Sequence, residues 1–187
     1  RVSTVIASVI IVDAEPGPLP PQVETLETKQ AHGFSLPTYC EAPVTQITGG
    51  FAKVRTGGLT PESIPDSSEV AGFLLEAAAA RLPFKATAGL HHPIRGTYPL
   101  TYAADSPRAV MHGFLNVFLA AAFMLDGMSR SDLQALLMED QPSNFILDDS
   151  SITWRGHQLS QARLLESRAL ASSFGSCSFE EPMEDLL

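Results

Sequence analysis

Positive charge is scarce in this chain. Its 187 residues carry 12 Lys and Arg against 21 Asp and Glu, a formal net charge of −9. That balance opposes an electrostatic grip on nucleic acid or on an anionic membrane surface, so neither is expected as a partner. Long apolar runs are missing as well. The greasiest stretch, residues 113–125, contains Asn116 and falls short of the roughly 20 residues that a membrane-spanning helix needs. With 2 cysteines, Cys40 and Cys177, the chain has neither a disulfide framework nor a zinc cluster, and a reducing, cytoplasmic setting is expected. No internal repeat or low-complexity tract interrupts it. What is left is globular composition, 44% hydrophobic and 18% charged, enough to build a single α/β domain over residues 1–187. The first residue is Arg1, no leader pattern follows it, and Leu187 falls inside an amphipathic run. The ends therefore read as cut, and the domain as the C-terminal portion of a longer protein.

The β-branched run over 2–12 predicts a long buried strand, followed by a proline-rich break. Residues 22–32 have the acids, leucine and lysine of an exposed helix stopped by Gly33. Two further strands are predicted over 36–44 and 51–56. Asp66 with Glu69 is a capping box that opens an Ala/Leu helix running to Arg81. A fourth strand over 84–89 leads into a long loop, 90–107, after which Pro107 and Gly127 frame a helix that is apolar nearly all round. Such a helix calls for additional cover, either from absent chain or from a second copy in a homodimer. A capped helix over 129–140, a hairpin of 145–147 with 152–155, a helix over 160–172 and a last helix from Ser178 complete the reading. Strands alternating with helices predict parallel βαβ units. A whole eight-stranded barrel takes about 250 residues, so the expected fold is a partial (β/α) TIM-barrel-like α/β domain with a C-terminal hairpin and helices, ranked ahead of an open sheet.

The lysines are the most informative residues. Two of the three, Lys53 and Lys85, sit in the middle of otherwise apolar predicted strands. Side chains alternate along a strand, so Lys53 and Arg55 share one face, as do Lys85 and Thr87, while Ala52, Val54, Phe84, Ala86 and Ala88 face helices. Unpartnered buried ammonium groups are costly, so acids, structured water or an anionic ligand must answer them. No acid occurs between Glu41 and Glu62, nor between Glu76 and Asp105, which makes the local field positive. Gly57, Gly58 and Gly89 close the two strands and can bring backbone N–H groups up to a phosphate or carboxylate. The competing reading is a structural network in which Glu41, Asp13 or Glu15 neutralises Lys53, Arg55 and Lys85.

Directly after the fourth strand, His91, His92 and Arg95 stand at the rim of the same site. The histidines are candidate proton carriers. Adjacent histidines point in different directions and no metal spacing accompanies them, so no metal and no cofactor is expected. His112 and Asn116, four apart on the predicted 107–126 helix, are placed to close over the ligand, or else to hydrogen-bond the loop above. Cys177 reads better as part of a helix cap than as a nucleophile, and Asp148-Asp149 better as a solvated turn than as a metal site.

Three stretches, FKATAGLHHPIRG over 84–96, MHGFLNVFLAAA over 111–122 and FGSCSFEEP over 174–182, resemble a family of bacterial proteins known mainly as uncharacterised. The resemblance implies that these polar motifs act together on a barrel-like frame. Separately, Lys85-Ala86-Thr87-Ala88-Gly89 is similar to the K-T-S-T-G strand of deoxyribose-phosphate aldolases, with alanine at both threonine positions. That similarity implies a Schiff-base lysine at Lys85.

The functional expectation is an enzyme acting on a small phosphorylated or carboxylated metabolite, possible chemistries being a lysine-dependent lyase or isomerase. Lys85 or Lys53, its pKa lowered by burial beside other cations, would be the reactive group. His91, His92 and His112 would move protons. Arg55, Gly57, Gly58, Thr87, Gly89, Arg95 and Asn116 would hold the substrate. The alternative is a non-catalytic anion-binding domain, or a structural domain of a larger enzyme.

Overall fold

The computed structural model describes residues 9–11, 23–28 and 36–175. Six parallel strands form the main sheet: β1 (Val9–Ile11), β2 (Val23–Thr28), β3 (Thr38–Cys40), β4 (Phe51–Arg55), β5 (Phe84–Thr87) and β11 (Ala171–Gly175), lying side by side in that order. Between β4 and β5 runs helix α1 (Ser67–Ala79). Between β5 and β11 come the antiparallel pair β6 (Gly96–Pro99) and β7 (Arg108–Met111), helices α2 (Phe114–Leu125) and α3 (Arg130–Leu137), the meander β8 (Phe145–Leu147), β9 (Ser151–Trp154) and β10 (His157–Ser160), and helix α4 (Gln161–Ser167). The fold is thus mixed α/β, a parallel sheet with helices plus antiparallel hairpins. Among the described residues no helix is long and apolar enough to cross a membrane.

The alternation read in β4 and β5 produces two unlike faces. Ala52, Phe84 and Ala86 are buried in one core with Val70, Ala71, Leu74 and Ala77 of α1. Small side chains let the helix approach, and Phe73 meets Phe84 edge-on with ring centroids 5.3 Å apart. The capping box is present: Asp66 Oδ1 accepts from the Glu69 N–H at 2.8 Å and the Glu69 carboxylate accepts from the Asp66 N–H at 2.8 Å. Helix α2 is buried on most sides, from Asn116 and Val117 through Leu119–Met124. Within the chain its cover comes from α1, α3, α4 and β11.

Several elements differ from the sequence reading. Residues 23–28 form a strand where an exposed helix was expected. Its threonines suit a pleated backbone, and Leu26 and Glu27, both buried, are adjacent on a strand and so turn to opposite faces. The loop over 90–107 carries β6, and Pro107 belongs to the same excursion, its carbonyl accepting from the Leu100 N–H at 2.9 Å. The apolar helix therefore starts at Phe114, after an extended Gly113, and not at Pro107. A third meander strand, β10, follows a two-residue turn in which Arg155 and Gly156 both have positive φ, 46° and 85°, the geometry that matches strand twist. The expected 160–172 helix stops at Ser167, and residues 171–175 form β11 instead, paired with β5. Most of the 2–12 strand and the helix from Ser178, with Cys177, His32, Lys29, Asp13 and Glu15, lie outside the described residues.

Candidate functional site

On the sheet face away from α1, β4 and β5 place Lys53 directly beside Lys85 in register. Both are buried, at 6% and 5% exposure. Their ammonium groups converge on one carboxylate: Glu27 Oε2 lies 2.7 Å from Lys53 Nζ, and Glu27 Oε1 lies 2.6 Å from Lys85 Nζ. Glu41, just past β3, continues the chain of charges, 3.0 Å from Lys53 Nζ and 3.3 Å from Arg55 Nε. Among the described residues three cations therefore face two carboxylates, which leaves one positive charge in excess. Tyr39 flanks the group, its ring centroid 5.7 Å from Lys85 Nζ and its hydroxyl 3.3 Å from Ser172 Oγ on β11. Gly175 brings the end of β11 against Lys85 and Thr87.

Glu27 is the residue that sequence reasoning missed, because its segment carries the charges of an exposed helix. The signal available was period-2 placement, Leu26 beside Glu27 between two threonines. Burial alone would raise the pKa of Glu27, but the hydrogen bonds and charges of Lys53 and Lys85 outweigh it and hold the carboxyl below its ordinary value. Burial likewise pulls Lys53 down, and its bonds to Glu27 and Glu41 outweigh it, so its pKa is raised. This corrects the expectation of a lysine activated by neighbouring cations: at Lys53 the neighbouring acids win.

At the strand ends the structure brings Thr56, Gly57, Thr87, Ala88 and Gly89 together. Thr56, fully buried, donates from its hydroxyl to the Ala88 carbonyl at 2.6 Å and from its N–H to the Thr87 carbonyl at 2.8 Å. A Cβ on Gly57 would stand 2.8 Å from the Gly89 Cα, and Gly89 itself has φ +73°, so both glycines are required for the two turns to touch. Ala88 precedes Gly89 with φ +62°, a left-handed conformation uncommon for a residue with a side chain. Thr87 donates to the Val54 carbonyl at 3.4 Å, and Gly58 sits against the Ser63 side chain.

The histidines do not join the lysines. His91 and His92 line a separate cleft of about 440 Å³ under the β6–β7 excursion, together with Leu100, Tyr102, Ser106 and Arg108. None of Lys53, Arg55, Lys85 or Thr87 contributes to it. His92 stacks on Tyr98 with centroids 3.5 Å apart. The segment bearing the pair is latched to the start of α2: the Phe114 and Leu115 N–H groups donate to the carbonyls of His92 and Pro93 at 2.9 and 3.0 Å, and the Arg95 N–H donates to Asn116 Oδ1 at 2.8 Å. Asn116, fully buried, also donates to the Leu136 and Glu139 carbonyls, each at 2.8 Å. Its polar atoms are thus bonded to backbone, and the expectation that it holds substrate is corrected accordingly. Three comparisons, with protein-family models, with curated proteins and with solved structures, find no match for this chain. Among the described residues no three His, Cys, Asp or Glu side chains group in a way that could hold a metal ion.

His112 precedes α2 and does not share a helix face with Asn116. It is buried; its Nε2 lies 2.7 Å from the Pro65 carbonyl, to which it donates, and its Nδ1 is buried with no hydrogen-bond partner. Burial lowers its pKa, the Pro65 carbonyl and Asp66 oppose the shift, and Arg95 adds to it. The unfolded chain therefore takes up a proton near pH 6.5 while the folded chain does so only at lower pH. Stability should fall with acidification from about pH 6.5 downward, and His112→Gln should flatten that part of the profile in urea melts at pH 5 and pH 7.5. An unchanged slope would show that His112 is not held neutral.

Proposed function

We propose that the polar face of the parallel sheet is a site for a small phosphorylated or carboxylated metabolite, and that the chain acts there as a lysine-dependent isomerase or lyase on a partial (β/α) barrel frame. The observation that supports this reading is the in-register pair Lys53 and Lys85, buried on one carboxylate with one cation in excess among the described residues of the face. An anionic substrate completes the charge balance there. Strands in chain order across a parallel sheet suit part of a barrel, in which this face is the interior and ligands enter at the strand ends. The chemistry that suits protonated lysines is stabilisation of an enolate or alkoxide as it forms beside a carbonyl, with Glu41, partly open to solvent, carrying the proton. Arg55, half-exposed at the edge of the network, is placed to meet the anionic tail.

The test is a panel of sugar phosphates and 2-oxo acids. At least one member should raise the melting temperature and acquire deuterium from D2O next to its carbonyl. Lys85→Met should cut that exchange by roughly 100-fold. Borohydride trapping should leave Lys53 unmodified. If no member of the panel shifts the melting temperature, the proposal fails. The second reading, a purely structural ion network, is favoured by the pairing of both lysines with Glu27. It requires that Glu27→Leu with Lys53→Met and Lys85→Met gain stability while no ligand affects the unaltered protein.

A further inference from the structure

Among the described residues β8 is an outer strand of the β8–β10 meander. Edge strands are usually defended against pairing by a lysine, a proline or a bulge, but β8 consists of Phe145, Ile146 and Leu147 and pairs with β9 without a register shift. Ile146 and Leu147 are 61% and 58% exposed. Phe145 and Leu147 stand opposite Trp154 and Ile152, all but Leu147 buried, so the core face of the meander runs on past its last strand; Ile146, opposite Thr153, projects from the other face. The backbone is oriented to match. The Asp148 N–H donates to the Ser151 carbonyl at 3.0 Å, which makes 148 with 151, and by alternation 146 with 153, the hydrogen-bonded pairs. Leu147 therefore turns its N–H and carbonyl to the outer edge.

Charge says what fits there. Asp140 precedes β8, and Asp148 and Asp149 follow it, all three exposed. Hydrogen bonds from Ser150 and Ser151 hold the Asp148 carboxyl down at about 2, so it is ionised at neutral pH. Arg155, on the neighbouring turn, is already answered by the buried carboxylate of Glu139 at 2.7 Å. We infer that the outer edge of β8 docks an extended basic segment of a partner protein, which adds a fourth strand, covers Leu147 and Ile146 with adjacent apolar side chains and sets Lys or Arg beside Asp148 and Asp149. A second copy of this chain would bring the same acids and a further net charge of −9, which opposes self-pairing. This edge is separate from the lysine face and does not depend on the reading given to it.

Fluorescence anisotropy with the labelled peptide Lys-Val-Ile-Val-Lys tests it. The peptide should bind with a Kd below roughly 1 mM. Its charge-reversed form, Glu-Val-Ile-Val-Glu, should bind about tenfold more weakly. Asp149→Lys, at an exposed position, should weaken the basic peptide several-fold and strengthen the acidic one. Ile146→Thr, which keeps a strand-forming residue, should weaken both. Amide exchange followed by NMR locates the contact: saturating basic peptide should slow exchange of the Leu147 N–H, while the Ile146 N–H, turned toward β9, is protected before peptide is added. The inference is overturned if the basic peptide does not bind, if the two peptides bind equally, or if the Leu147 N–H exchanges as fast at saturation as without peptide. It is also overturned if the free protein sediments as a dimer that Ile146→Thr dissociates, which would assign the edge to a second copy.

Discussion

Glu27→Gln should destabilise the fold by about 3–5 kcal/mol, because it strips the shared carboxylate from two buried ammonium groups. For a domain of this size that is a drop in melting temperature on the order of 10 °C. The sign of the effect distinguishes charge from shape, since glutamine matches glutamate closely in volume. Replacing the whole buried group, with Glu27→Leu, Lys53→Met and Lys85→Met together, should recover most of the loss, because apolar side chains of similar size need no partners. Differential scanning calorimetry of the single and triple variants decides the matter. A triple variant no more stable than Glu27→Gln would mean that the network is not what sets stability on this face. Acid titration adds a second check. The folded pKa of Glu27 lies below the ordinary value of 4.5, so the unfolded chain takes up the proton first, and this part of the stability is present above about pH 4.5 and lost on further acidification. Glu27→Gln should lack that component.

Asn116→Ala is expected to lower stability by roughly 4 kcal/mol. Three backbone groups would lose a hydrogen bond at once: the Arg95 N–H and the carbonyls of Leu136 and Glu139, of which the Leu136 carbonyl keeps the Glu139 N–H at 3.1 Å. A void would account for part of the loss in the alanine variant, so Asn116→Asp is the sharper probe. It keeps the shape and the acceptor toward Arg95 but turns a carboxylate oxygen onto two carbonyl oxygens, and should be at least as damaging. Urea unfolding at pH 7 measures both. An aspartate variant as stable as the unaltered protein would remove the hydrogen bonds from the account. Because Asn116 also fixes Arg95, the same variants should lose amide protection across residues 91–95 ahead of global unfolding.

The central charges of the sheet were legible in the sequence because β4 and β5 are short alternating strands in which a lysine interrupts apolar neighbours. Periodicity alone then settles which side chains share a face. Their partner was not legible. In 23–28 the acids and threonines satisfy the exposed-helix pattern as well as the strand pattern, and the position of Glu27 opposite two lysines is fixed by the register of β2 on β3 and β3 on β4, which is a long-range property. β11 was hidden for a related reason. Residues 171–175 lack apolar alternation, and they are a strand because β5 offers a parallel edge to them. The start of α2 was misplaced because Pro107 is a good first-turn residue in isolation. In the fold, Gly113 precedes the helix, and the carbonyls of His92 and Pro93 occupy the first helical N–H groups. The histidine pair was correctly set beside the end of β5, yet the β6–β7 excursion encloses it apart from the lysines, and nothing local in residues 89–96 encodes that partition.

The pairing of β5 with β11 has a consequence for biosynthesis. Residues 88–170 intervene between the two strands, so during translation β5 emerges long before the strand that will flank it. Until then its outer backbone groups are an open template for unrelated nascent segments. A stalled or truncated polypeptide ending before residue 171 would keep that template bare, and the ribosome-bound intermediate is the species in which a chaperone would find the lysine-bearing edge uncovered.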